Sequence, residues 1–180
     1  MKQIRIHGRG GQGVVTAAEL IAIAAFKDGK QSQAFPSFGV ERTGAPIESY
    51  ARIDDEFIQT REQIYKPDVL IVQDPTLLDV IDITKGAGKD TIVIINTSKD
   101  KKDLKIKLPK KNIYPIDATK IALDIIGKNL VNTVILGAFA KVTNLVTLNG
   151  LKQAVKQKFS EKGDKIIDSN IKAIEVAYNK

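Results

Sequence analysis

Ile4 and Ile6 alternate with Arg5 and His7, so period-two patterning predicts a strand over residues 2–7. It runs into Gly8-Arg9-Gly10-Gly11-Gln12-Gly13. Val14, Ala17, Ala18, Ile21, Ala22 and Ala25 then recur at helical spacing, which predicts a helix over 14–27 stopped by Gly29. A short strand over 30–35 follows, then a loop bracketed by Gly and Pro, then a strand over 47–53 with Ile47, Ser49, Ala51 and Ile53 on one side. The unbroken apolar runs inside 68–73 and 91–96 read as central parallel strands, with Asp74-Pro75 turning the chain into a short helical segment after the first. Weaker strands are expected over 104–108 and 112–116. The last third reads as helices over 118–126, 133–143, 151–159 and 171–178. The helix starts fall at Asp117, at Asn132, at Thr147 or Asn149, and at Asp168 or Ser169. Strands alternating with helices predict an α/β fold: a doubly wound, mostly parallel sheet with helices on both faces, Rossmann-like, in one domain over 1–180.

Composition narrows the class. The chain has 180 residues, 43% hydrophobic and 27% charged, an ordinary globular mixture. No apolar run approaches the roughly 18 residues of a membrane helix, and the N-terminus enters a strand at once, so a soluble cytoplasmic protein is expected. The absence of Cys excludes disulfides and Cys-held iron–sulfur clusters from this chain, and a single His excludes a multi-His metal site. Abundant Lys and Ile without Cys or Trp points to a thermophile or an AT-rich genome.

The net charge of +7 is unevenly placed. Residues 1–90 carry 11 basic and 13 acidic side chains; residues 91–180 carry 17 Lys, no Arg and 8 acids. Lysines scattered on solvent-side positions, with no Arg and few aromatics between them, argue against a nucleic-acid surface.

Strand, Gly8-x-Gly10-x-x-Gly13, then helix is the context of a dinucleotide fingerprint. Glycines allow close approach of a ligand, and the helix start attracts an anion. The fingerprint also needs an acid at the end of the second strand to hold a ribose hydroxyl. That strand ends Gln33-Ala34-Phe35-Pro36 instead. No Gly-Lys-Ser/Thr follows, so the loop is not a P-loop. Anion or cofactor contact and a purely structural tight turn both remain open.

The second loop, from Phe35 to Pro46, holds two Pro, two Gly, two Phe and the pair Glu41-Arg42. Such punctuation shapes a loop, and both Gly-rich loops fall at the carboxyl ends of strands, where ligands and partners bind. For catalysis little is present. His7 at the strand end is a conceivable base, though a satisfied structural His is the commoner case. No Ser/His/Asp arrangement or metal-spaced carboxylate cluster is readable, and Asp54-Asp55-Glu56 reads as a turn and helix start. The missing active site points to one subunit of a larger enzyme.

Two segments carry a family resemblance. Gly8-Arg9-Gly10-Gly11-Gln12-Gly13-Val14-Val15-Thr16-Ala17-Ala18 and Pro36-Ser37-Phe38-Gly39-Val40-Glu41-Arg42-Thr43-Gly44-Ala45-Pro46 resemble the gamma subunit of 2-oxoacid:ferredoxin oxidoreductases, most closely the pyruvate enzyme, pyruvate synthase. Asn132-x-x-x-Leu136-Gly137-Ala138 and Asn170-x-x-Ala173 extend it. The resemblance spans essentially the whole chain, in pattern only over about 55–130. It implies oxidative decarboxylation of a 2-oxoacid with coenzyme A to acyl-CoA, CO2 and reduced ferredoxin. It also implies a heteromeric complex with alpha, beta and delta type subunits and ferredoxin as electron acceptor. Thiamine diphosphate and [4Fe-4S] clusters would sit on those partner subunits, with no cofactor held by this chain alone. This chain would cover the thiamine site and help bind coenzyme A. The candidate cofactor-binding residues are then Gly8, Arg9, Gly10, Gly11, Gln12 and Gly13. Phe38, Gly39, Glu41, Arg42 and Thr43 are assigned to the subunit interface or site wall. No catalytic or metal residue is assigned, no nucleic-acid or membrane partner is expected, and the isolated chain is a candidate homodimer. The alternative reading is an autonomous Rossmann-like nucleotide-binding enzyme.

Overall fold

The computed structural model describes residues 1–37 and 42–180. The elements run β1 (Lys2–Arg9), α1 (Val14–Lys27), β2 (Gln31–Pro36), β3 (Pro46–Asp54), β4 (Val69–Val72), a short 3-10 helix (Pro75–Asp79), β5 (Ile92–Asn96), β6 (Ile113–Ile116), α2 (Ala118–Ile125), α3 (Val131–Thr143), α4 (Leu148–Lys158) and α5 (Asp164–Tyr178). The six strands form one sheet in the order β2-β3-β1-β4-β5-β6. β1, β4, β5 and β6 are mutually parallel neighbours, while β3 runs antiparallel between β1 and β2. The α/β class and the mostly parallel sheet are therefore as the patterning predicts.

The two faces of the sheet are covered differently. One face presents Ile4, Ile6, Ala51, Ile53, Val69, Ile71, Ile94 and Ile116 to a core shared with all five α-helices. The other presents Leu70, Val72, Val93, Ile95 and Ile113 to Leu77 of the 3-10 helix and to Ile83, Leu104 and Ile106 of irregular chain. The expectation of helices on both faces thus holds on the second face only as two short 3-10 helices, Pro75–Asp79 and Lys110–Asn112, among the described residues. The crossovers from β4 to β5 and from β5 to β6 do lie there. They carry Pro75, Gly86, Gly88, Pro109 and a dense lysine run, a composition that does not sustain helix.

Other differences have local causes. The strand expected over 104–108 is irregular, because Leu104 and Ile106 are buried as anchors of a crossover and pair with no strand. Residues 55–57 start no helix. Thr147 and Asp117 cap their helices, accepting the N–H of Gly150 and Lys120. Asn132 does not cap: α3 begins one residue earlier, and its side chain is buried against Gly13. α5 begins at Asp164 after Gly163, so Asp168 and Ser169 lie inside it. A Cβ on Gly137 would come within 2.2 Å of Ile174 O, and Thr133 Oγ1 lies 2.6 Å from Asn170 Oδ1. The two C-terminal motif segments are thus the close-packed seam between α3 and α5.

Buried arginines hold the irregular chain to the second face. Arg5 donates to Ile64 O (3.3 Å), Ile83 O (3.0 Å) and Lys85 O (2.7 Å), and Arg52 donates to Glu62 O. Segments with few backbone partners of their own find them in guanidinium groups fixed on adjacent strands.

Candidate functional site

The chain leaves β1 in one direction towards α1, β2 and β3, and later resumes on its other side with β4. The carboxyl ends of β1 and β4 are therefore the point where winding reverses, the position at which open α/β sheets bind ligands. A crevice of about 150 Å³ lies there, lined by Gln12, Gln73, Asp74, Pro75, Asn96, Thr119, Asn129 and Val131.

Arg9 ties three loops around it. Its Nε donates to Asp74 Oδ2 (3.2 Å), one terminal nitrogen to Gly44 O (3.0 Å) and the other to Thr76 Oγ1 (2.8 Å). Gln12 closes the turn, accepting the Arg9 N–H (2.8 Å) and donating to Asp74 Oδ2 (2.9 Å). Asp74 also accepts from the N–H and the hydroxyl of Thr76. Burial pushes the Asp74 carboxyl up, but the Thr76 and Gln12 hydrogen bonds and the Arg9 cation outweigh it and hold its pKa below the ordinary carboxylate value. Asp74 is therefore an ionised strut with four donors.

The glycines of the first loop serve different ends. A Cβ at Gly8 would meet Val14 at 2.5 Å, one at Gly10 would meet Arg42 O at 2.2 Å, and one at Gly13 would meet the Asn132 amide at 2.5 Å. Gly11, at φ +92°, faces open space. Gly10 is bridged to the second loop by Gly10 N–H to Ala45 O (2.9 Å) and Gly44 N–H to Gly10 O (3.1 Å). Three of the four glycines thus bring parts of this chain together, and only the turn at Gly11 is left for a ligand. The start of α1 after Gly13 has no side-chain cap. Arg42 and Thr43 are exposed at the rim, whereas Phe38, Gly39 and Glu41 lie outside the described residues.

The structure therefore brings Gly8–Gly13 together with Arg42 and Thr43, and adds Gln73, Asp74, Asn96 and Thr119, to which sequence reasoning gave no site role, and Asn132, which it read as a helix cap and as part of the family resemblance. A signal existed for two of them. Gln73 and Asp74 are polar residues placed directly after a fully apolar parallel strand. A dinucleotide reading fails on topology as well as on the missing acid, because β3 separates β2 from β1 and carries the end of β2 away from the glycine loop.

His7 is not part of the crevice. It is 1% exposed on the second face, its Nε2 accepts from Arg5 Nε (3.1 Å), and its Nδ1 lies 3.5 Å from Glu48 Oε1. Burial and the Arg5 cation lower its pKa to about 3, so the contact with Glu48 joins a neutral imidazole to a carboxylate. Between that value and the ordinary 6.5, the unfolded chain binds a proton that the folded chain does not. Stability should consequently fall as pH drops through this window, by up to about 1.4 kcal/mol per pH unit from this group. In His7→Gln, urea titrations between pH 5 and 6.5 should show a shallower dependence; equal slopes for both proteins would refute the assignment.

A mostly parallel sheet with a polar crevice at its switch point, three latched loops and one saturated carboxylate defines an α/β domain with a candidate binding site. Among the described residues no group of three or more His, Asp or Glu is placed to hold a metal, and no helix is long and apolar enough to cross a membrane. Residues 3–180 match the pyruvate ferredoxin/flavodoxin oxidoreductase family, and the chain belongs to it. It is 52% identical, over all of its length and 97% of the relative's, to the pyruvate/ketoisovalerate oxidoreductases common subunit gamma of Thermococcus kodakarensis. It is 54% identical to pyruvate synthase subunit PorC of Methanocaldococcus jannaschii, covering 99% of this chain and 96% of that one. The crystal structure of pyruvate oxidoreductase subunit PORC of Thermotoga maritima superposes with a TM-score of 0.85 at 37% identity, over 99% of this chain and 96% of that one.

Proposed function

We propose that this chain, one gamma-type domain over 1–180, is the gamma subunit of a cytoplasmic pyruvate (2-oxoacid):ferredoxin oxidoreductase. The reaction is oxidative decarboxylation of the 2-oxoacid with coenzyme A to acyl-CoA, CO2 and reduced ferredoxin. The chemistry is assigned to alpha, beta and delta type partner chains, which hold thiamine diphosphate and [4Fe-4S] clusters and pass electrons to ferredoxin. A chain without Cys offers no ligand set for such a cluster. This subunit supplies a wall over the thiamine site through the rim residues Arg42 and Thr43. Its uncapped α1 start beside Gly11 is suited to a phosphate of coenzyme A. The observation that carries the reading is the Arg9 latch, which rigidifies three loops around a crevice whose one carboxylate is already saturated. A relative that is common to pyruvate and ketoisovalerate enzymes supports placing 2-oxoacid selection on the partner chains.

Reconstitution tests it. The full complex should reduce ferredoxin with pyruvate and coenzyme A, the complex lacking this chain should not, and turnover by the isolated chain would overturn the reading. Gly11→Asn projects a side chain into the open face; the positive φ strains any side chain there, and Asn is among those that bear it best. In the assembled complex it should weaken coenzyme A binding about tenfold, a loss near 1.4 kcal/mol. Unchanged affinity would remove the coenzyme A role.

A further inference from the structure

The sheet has two edges, β2 and β6, and they differ in what they leave unpaired. The backbone groups of a strand point alternately to its two sides. In β6 the Ile116 carbonyl accepts the Thr97 N–H (2.9 Å) on the β5 side, so Ile113 and Pro115 point outward. Ile113 N–H already donates to Lys110 O and Pro115 has none, so this edge offers no donor. In β2 the Ser37 N–H donates to Glu48 O (3.0 Å) on the β3 side, in register with the pairs Phe35–Tyr50 and Gln33–Arg52. Ser32, Ala34 and Pro36 therefore point outward. Among the described residues no hydrogen bond reaches the backbone N–H or C=O of Ser32 and Ala34, or the C=O of Pro36. No residue of β2 is buried and none is charged, and its one proline stands at the last position. Natural edges are commonly blunted by lysine, proline or a covering element, and a strand without them is a template for another strand.

A second copy of the same edge fits it. Two β2 strands related by a two-fold axis at Gln33 run antiparallel, with Ser32 opposite Ala34 of the second copy. Each such pair exchanges two backbone hydrogen bonds, so every free N–H is used, and Pro36 falls beyond the paired stretch. A strand with no charge meets its own copy without repulsion. The layer above matches. α1 packs over β2 and β3, and its stripe Val15, Ala22, Ile23 and Phe26 is left at least partly exposed, Phe26 by 67%. Phe26 lies one turn after Ala22, whose carbonyl accepts the Ser32 hydroxyl (2.8 Å), so it stands beside the free edge. Glu19, on the same stripe, is drawn back to Lys158 (2.7 Å). With α1 above the gap between β2 and β3, strands about 4.8 Å apart bring the α1 helices of two copies to about 10 Å, the distance at which helices pack. The face is about 20 Å long and two layers deep, which buries on the order of 1,000 Å² in total, the lower bound for a specific interface.

We propose that β2 is a self-pairing edge: two copies of this chain join antiparallel through Ser32 and Ala34, with Phe26 of each packing against α1 of the other, so that their two sheets become one. The pairing is independent of the 2-oxoacid chemistry proposed above. Sedimentation equilibrium on the isolated full chain should show a monomer–dimer equilibrium with a dissociation constant on the order of 10 µM. Ala34→Pro removes one outward N–H, as Pro36 already does two residues on, so the fold should keep its circular dichroism spectrum while that constant rises about tenfold or more. The sequence has no cysteine, so Gln33→Cys places a single thiol on the two-fold axis, where opposed Cα atoms about 4.5 Å apart suit a disulfide. On mild oxidation it should link two copies about tenfold faster than Tyr114→Cys, a 39% exposed position on the other edge. In the assembled complex the same thiol should link two gamma-type chains. A chain monomeric at about 100 µM, an Ala34→Pro dimer as tight as the unmodified one, or equal linking rates for the two thiols would each overturn the pairing. A link from the Gln33→Cys thiol to a different chain of the complex would overturn it in favour of a partner's strand at this edge. Should Ala34→Pro fail to fold, the two thiols decide, because neither replacement changes the outward backbone groups of its strand.

Discussion

Arg5→Met should destabilise the folded chain by about 3–5 kcal/mol. The Arg5 guanidinium is buried on β1 and is the shared donor for Ile64 O, Ile83 O, Lys85 O and His7 Nε2. Met fills similar space but leaves all four acceptors without a donor inside the protein, and unpaired buried acceptors are the costly outcome. The effect should spread beyond the site of change, because two irregular segments, around residues 64 and 83–85, lose the anchor that holds them to the sheet. Hydrogen exchange should therefore accelerate there before it does in α1 or α3. Arg5→Lys keeps the charge but replaces a planar five-donor fork with a single ammonium, so it should recover only part of the loss. A urea midpoint for Arg5→Lys equal to that of the unmodified chain would show that charge alone matters and that the fork argument is wrong.

Gly10→Val should cost about 2–4 kcal/mol and lower turnover of the assembled complex at least tenfold. Its Cβ would stand 2.2 Å from Arg42 O and 2.9 Å from Arg42 C, both backbone atoms that cannot rotate away. The second loop must then move off the end of β1. Two backbone hydrogen bonds between Gly10 and residues 44–45 are lost, together with the Arg9 contact to Gly44 O. Arg42 and Thr43 are displaced with that loop, and a shift of about 1 Å in a site wall is enough for a large loss of rate. Gly88→Ala is the matched control, since a Cβ there would meet open space, and its stability should stay within about 0.5 kcal/mol. If Gly10→Val assembled and turned over normally, the latched loops would not be the functional wall.

Much of this architecture is legible along the chain, and the misses share a cause. β1, α1, β4 and β5 are set by alternation or by 3.6-residue spacing among near neighbours, and each is found within a residue or two of its expected bounds. Leu104 and Ile106 show the same alternation, yet they are buried as crossover anchors, because period two reports which side chains go inward and not whether a strand partner exists. Asn132 has the residue type of a cap, but burial against Gly13 took precedence over its local preference. The glycine loop is legible as a tight turn beside a helix start. That its glycines accommodate Val14, Arg42 and Asn132 is not, since two of those neighbours lie more than 30 residues away.

What the amino-acid order determined by itself was therefore local and compositional: the elements, the absence of thiolate and multi-histidine chemistry, and the two loop motifs that resemble one family. What only the tertiary structure decided was the insertion of β3 between β2 and β1, the unequal cover of the two sheet faces, the Arg9 latch and the open edge of β2. Propensity and periodicity act between residues a few positions apart, whereas strand order and hydrogen-bond satisfaction depend on which distant segments come to share the same few ångströms.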